Sequence, residues 1–193
     1  MPAANAASVA IRALLVTGVV FAATAGCGGP AARLVWPDQS GTTSFFATIP
    51  DVPADQPVSL GSTEVCRKGG SDLSVVSVGA DGARGLRLDA FSFRPDPSTH
   101  KQAQLGAEPR ALSALGFPGT SPPFLITGEC PSQVGGPGLW ELAVQVSRTS
   151  LATGTAQSFT ITFTSAGRRQ TLRIPLAVTL CAPDDLATAE CQR

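Results

Sequence analysis

Three segments in the C-terminal half alternate between apolar residues and polar or small residues, and this period of two constrains the fold most. The segments span 139–147, 158–164 and 171–180. Successive side chains of a β-strand point to opposite faces of a sheet, so each segment predicts a strand with one apolar face. The alternating apolar residues are Trp140, Leu142, Val144, Val146, Phe159, Ile161, Phe163, Leu172, Ile174, Leu176, Val178 and Leu180.

Four further segments predict strands because strand-forming residues lie between turn-forming ones. They span 58–66, 73–78, 86–93 and 124–130. The short connections predict antiparallel pairing throughout, and an apolar face without helices to cover it requires a second sheet. The sequence therefore predicts an all-β fold: a two-sheet antiparallel sandwich, immunoglobulin-like, of about seven strands. A barrel is the alternative.

The last two predicted strands have two local features. The connection 165–169 is short and contains a glycine, which predicts a hairpin. Pro175 lies inside the final segment and cannot donate a ladder hydrogen bond, so we expect an edge position or a bulge there.

An uncharged apolar run spans 13–27 and follows Arg12. It is shorter than the roughly 20 residues of a transmembrane helix, and its positive flank and small closing residues are typical of an export signal. Its last four residues, Thr24-Ala25-Gly26-Cys27, resemble the lipobox of bacterial lipoproteins. The resemblance implies that Cys27 is acylated, becomes the new N-terminus and holds the protein at the outer face of the cell membrane.

The alternative is ordinary secretion, because Ala23-Thr24-Ala25 fits an A-x-A cleavage signal and Thr24 stands where lipoproteins most often carry leucine. The cysteine count favours the lipoprotein, since five cysteines leave one unpaired unless Cys27 carries lipid. The expected organisation is a signal peptide at 1–26, a tether rich in proline and glycine at 27–57, and a domain at 58–193. Residues 43–49 are locally strand-like and are either an edge strand or part of the linker.

A second resemblance covers roughly 58–181. Val65-Cys66, the segments 85–88 and 91–95, and the run from Leu172 to Cys181 resemble uncharacterised secreted proteins and lipoproteins of high-GC Gram-positive bacteria. The resemblance implies an exported β-sandwich, with no activity and no site residues to transfer.

The four remaining cysteines allow three pairings. We favour Cys66 with Cys130, which each end a strand, and Cys181 with Cys191, which bracket a short tail. The sequence has no C-x-x-C and no cluster of cysteine and histidine, so we expect structural disulfides and neither a metal nor another cofactor.

Few residues suggest chemistry. The single histidine, His100, lies beside Lys101 in a polar stretch and has no G-x-S-x-G motif to accompany it. We interpret it as an exposed loop residue and predict that the protein is not an enzyme. His100, Lys101, Arg168 and Arg169 form a possible partner surface, and the long insert 96–121 is another candidate.

The predicted function is a non-catalytic, lipid-anchored envelope domain that is monomeric and binds an envelope protein or glycan. The formal net charge is zero, which gives no general attraction to nucleic acid. A small apolar-ligand carrier is one alternative and predicts a cavity lined by Phe91, Phe93 or Phe117. A secreted hydrolase is the other, and it predicts His100 beside a serine and a carboxylate.

Overall fold

The computed structural model describes residues 30–37, 45–95, 105–132, 137–185 and 189–192. Among these residues, the regular elements are strands apart from a 3-10 turn at Leu112–Leu115. In chain order these are β1 (Arg33–Val35), β2 (Phe45–Ile49), β3 (Val58–Lys68), β4 (Leu73–Asp81), β5 (Leu86–Pro95), β6 (Ala107–Glu108), β7 (Phe124–Ile126), β8 (Trp140–Arg148), β9 (Gly154–Ala156), β10 (Ser158–Ser165), β11 (Arg168–Ile174) and β12 (Leu176–Leu180).

Two larger sheets form the sandwich. One has the order β1–β3–β8–β5, with β6 also paired to β3, and the other has the order β11–β10–β4–β7. Their inward residues form one apolar core, in which Val65, Val144 and Phe93 of the first sheet meet Val75 and Phe163 of the second. The all-β sandwich is therefore confirmed, and the immunoglobulin-like topology stays a prediction.

The alternation that predicted the long strands is visible in their burial. Phe159, Ile161 and Phe163 of β10 are at most 2% exposed, while the threonines between them are half-buried. The predicted hairpin is also present, because β10 and β11 pair antiparallel from Phe159–Ile174 to Ser165–Arg168.

The segment 171–180 differs from the prediction, since Pro175 divides it into β11 and β12. β12 leaves β10 and joins a third, small sheet in the order β2–β12–β9. β12 and β2 are parallel, so the expectation of antiparallel pairing throughout is wrong at this pair. Connection length does not restrict this pairing, because β2 precedes β12 by most of the domain.

Part of the predicted tether packs on the sandwich. β1 pairs with β3, and β2 occupies the edge beside β12. Between them and the predicted boundary at residue 58, Val52 is only 3% exposed and belongs to the core. Packing therefore begins at Ala32, which is fully buried.

Candidate functional site

The structure describes two of the predicted partner-surface residues. Arg168 and Arg169 are exposed at the tip of the β10–β11 hairpin. Arg168 lies opposite buried Ser165 and Arg169 opposite Thr164, so the two arginines point to opposite faces of the hairpin. Cys27, His100 and Lys101 lie outside the described residues.

One end of the sandwich gathers three separate pieces of chain: residues 30–33, the β3–β4 loop at 69–72 and the hairpin tip. The Ala32 amide donates to Ser165 Oγ at 2.9 Å, and Gln170 Nε2 donates to the Ala32 carbonyl at 3.1 Å. A Cβ added to Gly70 would lie 2.2 Å from the Pro30 carbonyl oxygen. We call this the Pro30 end.

Four exposed cations lie at the Pro30 end. Arg33 and Lys68 are directly opposite each other across the β1–β3 ladder. The hairpin tip adds two arginines, and we call the four residues the basic set: Arg33, Lys68, Arg168 and Arg169. Within the described part of the chain, none of them forms an ion pair. The loop 69–72 contributes one carboxylate, Asp72.

Only the hairpin arginines of the basic set, Arg168 and Arg169, are predicted from the sequence. Arg33 fell in the predicted tether, and Lys68 lay beyond the predicted end of a strand at 66. Their proximity depends on the register between β1 and β3, which places Arg33 on Lys68 and Val35 on Cys66. No local pattern specifies that register, since β1 has only three residues.

A cleft of about 400 Å³ opens beside the basic set. Its walls combine apolar, cationic and acidic groups, and it includes the disulfide between Cys66 and Cys130. The Trp36 side chain is half-buried and contacts the Phe45 ring edge-on at 5.4 Å. The complete lining is Val35, Trp36, Pro37, Cys66, Arg67, Lys68, Gly69, Glu129, Cys130 and Pro131.

Arg67 is the buried cation of this cleft. Its guanidinium donates to the carbonyls of Gly69 and Gly70 and, from Nη2, to the Thr127 carbonyl at 3.3 Å. The same nitrogen lies 3.4 Å from Glu129 Oε1, which partly neutralises it. These bonds fix the loop 69–72 against β7, so Arg67 holds the Pro30 end in shape.

The two predicted disulfides are both present. Cys66 is bonded to Cys130, and Cys181 to Cys191, with Cα separations of 4.9 and 5.9 Å. Structural disulfides persist in oxidising compartments, so the domain belongs to an extracytoplasmic environment.

The outer face of β8, where the sequence alternation places polar or small residues, is largely buried. Glu141 is fully buried, and its carboxylate accepts a hydrogen bond from Arg94 Nε at 2.7 Å and another from the Leu105 amide. The insert covers this face, because Leu112 of the 3-10 turn and Phe117 form a second apolar cluster with Ala143 of β8. The described part of the insert 96–121, a candidate partner surface from the sequence, therefore contributes buried residues to this second cluster.

The aromatic residues expected to line a carrier cavity are packed. Phe91 and Phe93 are at most 9% exposed, and each contacts the Phe124 ring at 5.5 Å. Phe117 lies under the Arg94 guanidinium at 4.2 Å. The cleft at the Pro30 end therefore does not coincide with the carrier cavity predicted from the sequence, because none of these phenylalanines lines it.

Among the described residues, no helix has the length and apolarity to cross a membrane, and no group of three or more His, Cys, Asp or Glu residues is placed to hold a metal ion. No protein-family model and no curated protein matches the chain. Functional assignment therefore depends on the residues of this chain and their geometry.

Proposed function

We propose that this protein is an exported lipoprotein, in which a non-catalytic β-sandwich is held at the outer face of the cell membrane by lipid on Cys27. The sandwich serves there as a binding or structural module for another envelope component, either a protein or a glycan. The signal-like run before Cys27 and its lipobox-like end support the export and the modification.

The cysteine pairing carries this proposal. The chain has five cysteines, and four of them are used in two disulfides. Cys27 is left without a disulfide partner from the described chain, and it is the residue that ends the apolar run. Acylation removes a reactive thiol from an oxidising compartment and supplies a membrane anchor, which is stable with two chains and marginal with one.

The test is the mass of the N-terminal peptide after expression in a bacterium that processes lipoproteins. We expect a peptide that begins at Cys27 and carries at least two acyl chains, with the protein in the membrane fraction. The Cys27→Ser variant should lose the acyl mass and its retention at the membrane.

Thr24→Leu is the matched control, because it changes the same motif toward the residue most common in lipoproteins. It should keep both the lipid and the membrane fraction. An unmodified peptide, or a wild-type protein released into the medium, would contradict the proposal and favour plain secretion.

The cleft supports a second candidate function, the binding of a small ligand. Its volume of about 400 Å³ is within the range of ligand pockets. Trp36 offers an aromatic wall and Lys68 a cation, so the cleft fits a small aromatic anion. Anilinonaphthalene sulfonate is a suitable probe: Trp36→Ala should abolish its fluorescence, and Leu151→Ala, at a residue 86% exposed, should not. Equal fluorescence in the two variants would exclude this candidate.

A further inference from the structure

We propose that the Pro30 end is the membrane-facing surface of the anchored protein, and that the basic set binds the anionic headgroups of the bilayer. This inference rests on the proposed lipid anchor at Cys27 and deepens it. It states which end of the sandwich faces the lipid and which chemical groups it meets there.

Chain length supports the orientation. Only Gly28 and Gly29 lie between Cys27 and Pro30, and an extended chain over these three residue steps spans at most about 11 Å. Pro30 itself is seated against Gly70, and Ala32 is hydrogen-bonded to the β10–β11 hairpin. The predicted tether at 27–57 therefore cannot hold the sandwich away from the membrane, because its folding contacts begin directly after the anchor.

The Pro30 end places two like charges next to each other, which destabilises the fold. Like charges directly opposite each other on antiparallel strands are destabilising, and Arg33 faces Lys68 in this way. Several cations elsewhere have carboxylate partners, among them Arg94 with Glu141 and Arg110 with Glu108 at 3.2 Å, whereas Arg84 and Arg173 form no ion pair within the described chain. The basic set has no such partner within the described chain, so an anion from outside would relieve its repulsion.

The membrane supplies that anion at the right distance. The surface potential of an anionic bilayer attracts each nearby Lys or Arg by about 1 kcal/mol and decays within a Debye length, about 8 Å at physiological salt. The link to Cys27 keeps the Pro30 end near this range. With Arg67 and Glu129 counted as a neutral pair, the four cations and the carboxylate of Asp72 leave about three net charges, which corresponds to a preference of about 100-fold for contact with an anionic surface.

Two exposed arginines at the opposite end serve as internal controls. Arg84 follows β4, whose nine residues place it about 26 Å from the loop 69–72. The Arg110 carbonyl accepts a hydrogen bond from Ser59, nine residues before Lys68 on β3, which corresponds to about 30 Å. Both side chains therefore lie several Debye lengths from the bilayer in the proposed orientation.

The experiment is a chemical footprint of the full chain, purified after lipoprotein processing and reconstituted into vesicles. Phenylglyoxal, a neutral arginine reagent, is applied in phosphatidylcholine vesicles and in vesicles that also contain phosphatidylglycerol. We expect the reactivity of Arg33, Arg168 and Arg169 to fall strongly only in the anionic vesicles and to recover at high salt. Arg84 and Arg110 should react equally in both.

Variants give the magnitude. In Arg168→Gln/Arg169→Gln, the protection of Arg33 by anionic vesicles should fall about 30-fold, since two charges are removed. In the matched control Arg84→Gln/Arg110→Gln, the protection should not change. Equal reactivity of Arg33 in the two vesicle types, with lipid present on Cys27, would overturn the inference and leave the anchor standing. An N-terminal peptide without lipid in the same sample would instead overturn the proposed function itself.

Discussion

Replacing Gly70 by alanine tests whether residues 30–32 pack against the β3–β4 loop, and Gly69 provides a matched control. Both glycines have φ of 65°, so alanine at either position enters the left-handed region at a cost of about 1–2 kcal/mol. A Cβ on Gly69 meets nothing within 4 Å, whereas one on Gly70 would lie 2.2 Å from Pro30 O and 2.5 Å from Ala32 N. The two variants share the backbone cost and differ in the clash.

The clash at Gly70 is with backbone atoms, so only movement of residues 30–32 relieves it. That movement breaks the hydrogen bonds of Ala32 with Ser165 and Gln170, each worth about 1 kcal/mol. If the backbone does not move, overpacking costs about 1–3 kcal/mol instead. Movement of the backbone replaces the cost of overpacking by the cost of the lost hydrogen bonds. We therefore expect Gly70→Ala to lose about 2–3 kcal/mol of unfolding free energy beyond the loss in Gly69→Ala.

The assay is equilibrium urea unfolding of both variants and the wild type, with amide hydrogen exchange at Ala32 and Arg33. Gly70→Ala should have the lowest midpoint and faster exchange at these two amides, while Gly69→Ala should keep the wild-type exchange there. Equal midpoints and equal exchange in the two variants would refute the packing of this segment. The close approach of the anchor to the sandwich would then lose its basis.

Two further predictions concern the disulfides of the sandwich and the buried hydrogen bonds of Arg148. Replacing Cys66 and Cys130 together by alanine should lower the unfolding free energy by about 4 kcal/mol, and replacing Cys181 and Cys191 should lower it by about 3 kcal/mol. The first loss is larger because the sequence separations are 64 and 10 residues, and a longer closed loop removes more entropy from the unfolded chain. Urea midpoints in the reverse order would contradict the loop-closure argument. Arg148 is 1% exposed and donates to three backbone carbonyls, so Arg148→Met should cost about 3–5 kcal/mol and Arg148→Lys less. A thermal melt of Arg148→Met at the wild-type temperature would show that these bonds do not stabilise the fold.

The sequence predicts the long strands well because their alternation is a local signal. β8, β10 and β11 each present an apolar face that can be counted from the residues alone. The two disulfides follow in the same way, since their cysteines come at the ends of predicted strands and around a short tail. Burial of Glu141 could not be predicted by this reasoning, because the element that covers it comes from the insert, 36 residues earlier at Leu105.

Of the short strands, β1 escapes prediction, and β2 lies in the segment 43–49, for which the sequence left an edge strand and a linker both open. β1 and β2 have three and five residues, and each is stabilised by a partner distant in sequence. Proline and glycine around them are equally typical of a linker. The basic set depends on the pairing of β1 with β3, so the sequence predicts the two hairpin arginines and does not predict Arg33 or Lys68 beside them.

The zero net charge conceals a difference in charge pairing between the two ends of the sandwich. At the far end, carboxylates such as Asp55 and Glu108 lie beside cations, whereas the basic set at the Pro30 end has no ion-pair partner within the described chain. Arg87, an exposed cation there, is paired with Asp89, whose hydrogen bond and charge raise the pKa of Arg87. A bilayer field acts on local charge and not on the total, so a chain with no net attraction to anionic lipid is still oriented by it once an anchor brings one end within a Debye length. Composition alone excludes a general polyanion binder, and it says nothing against a surface that works only at the membrane.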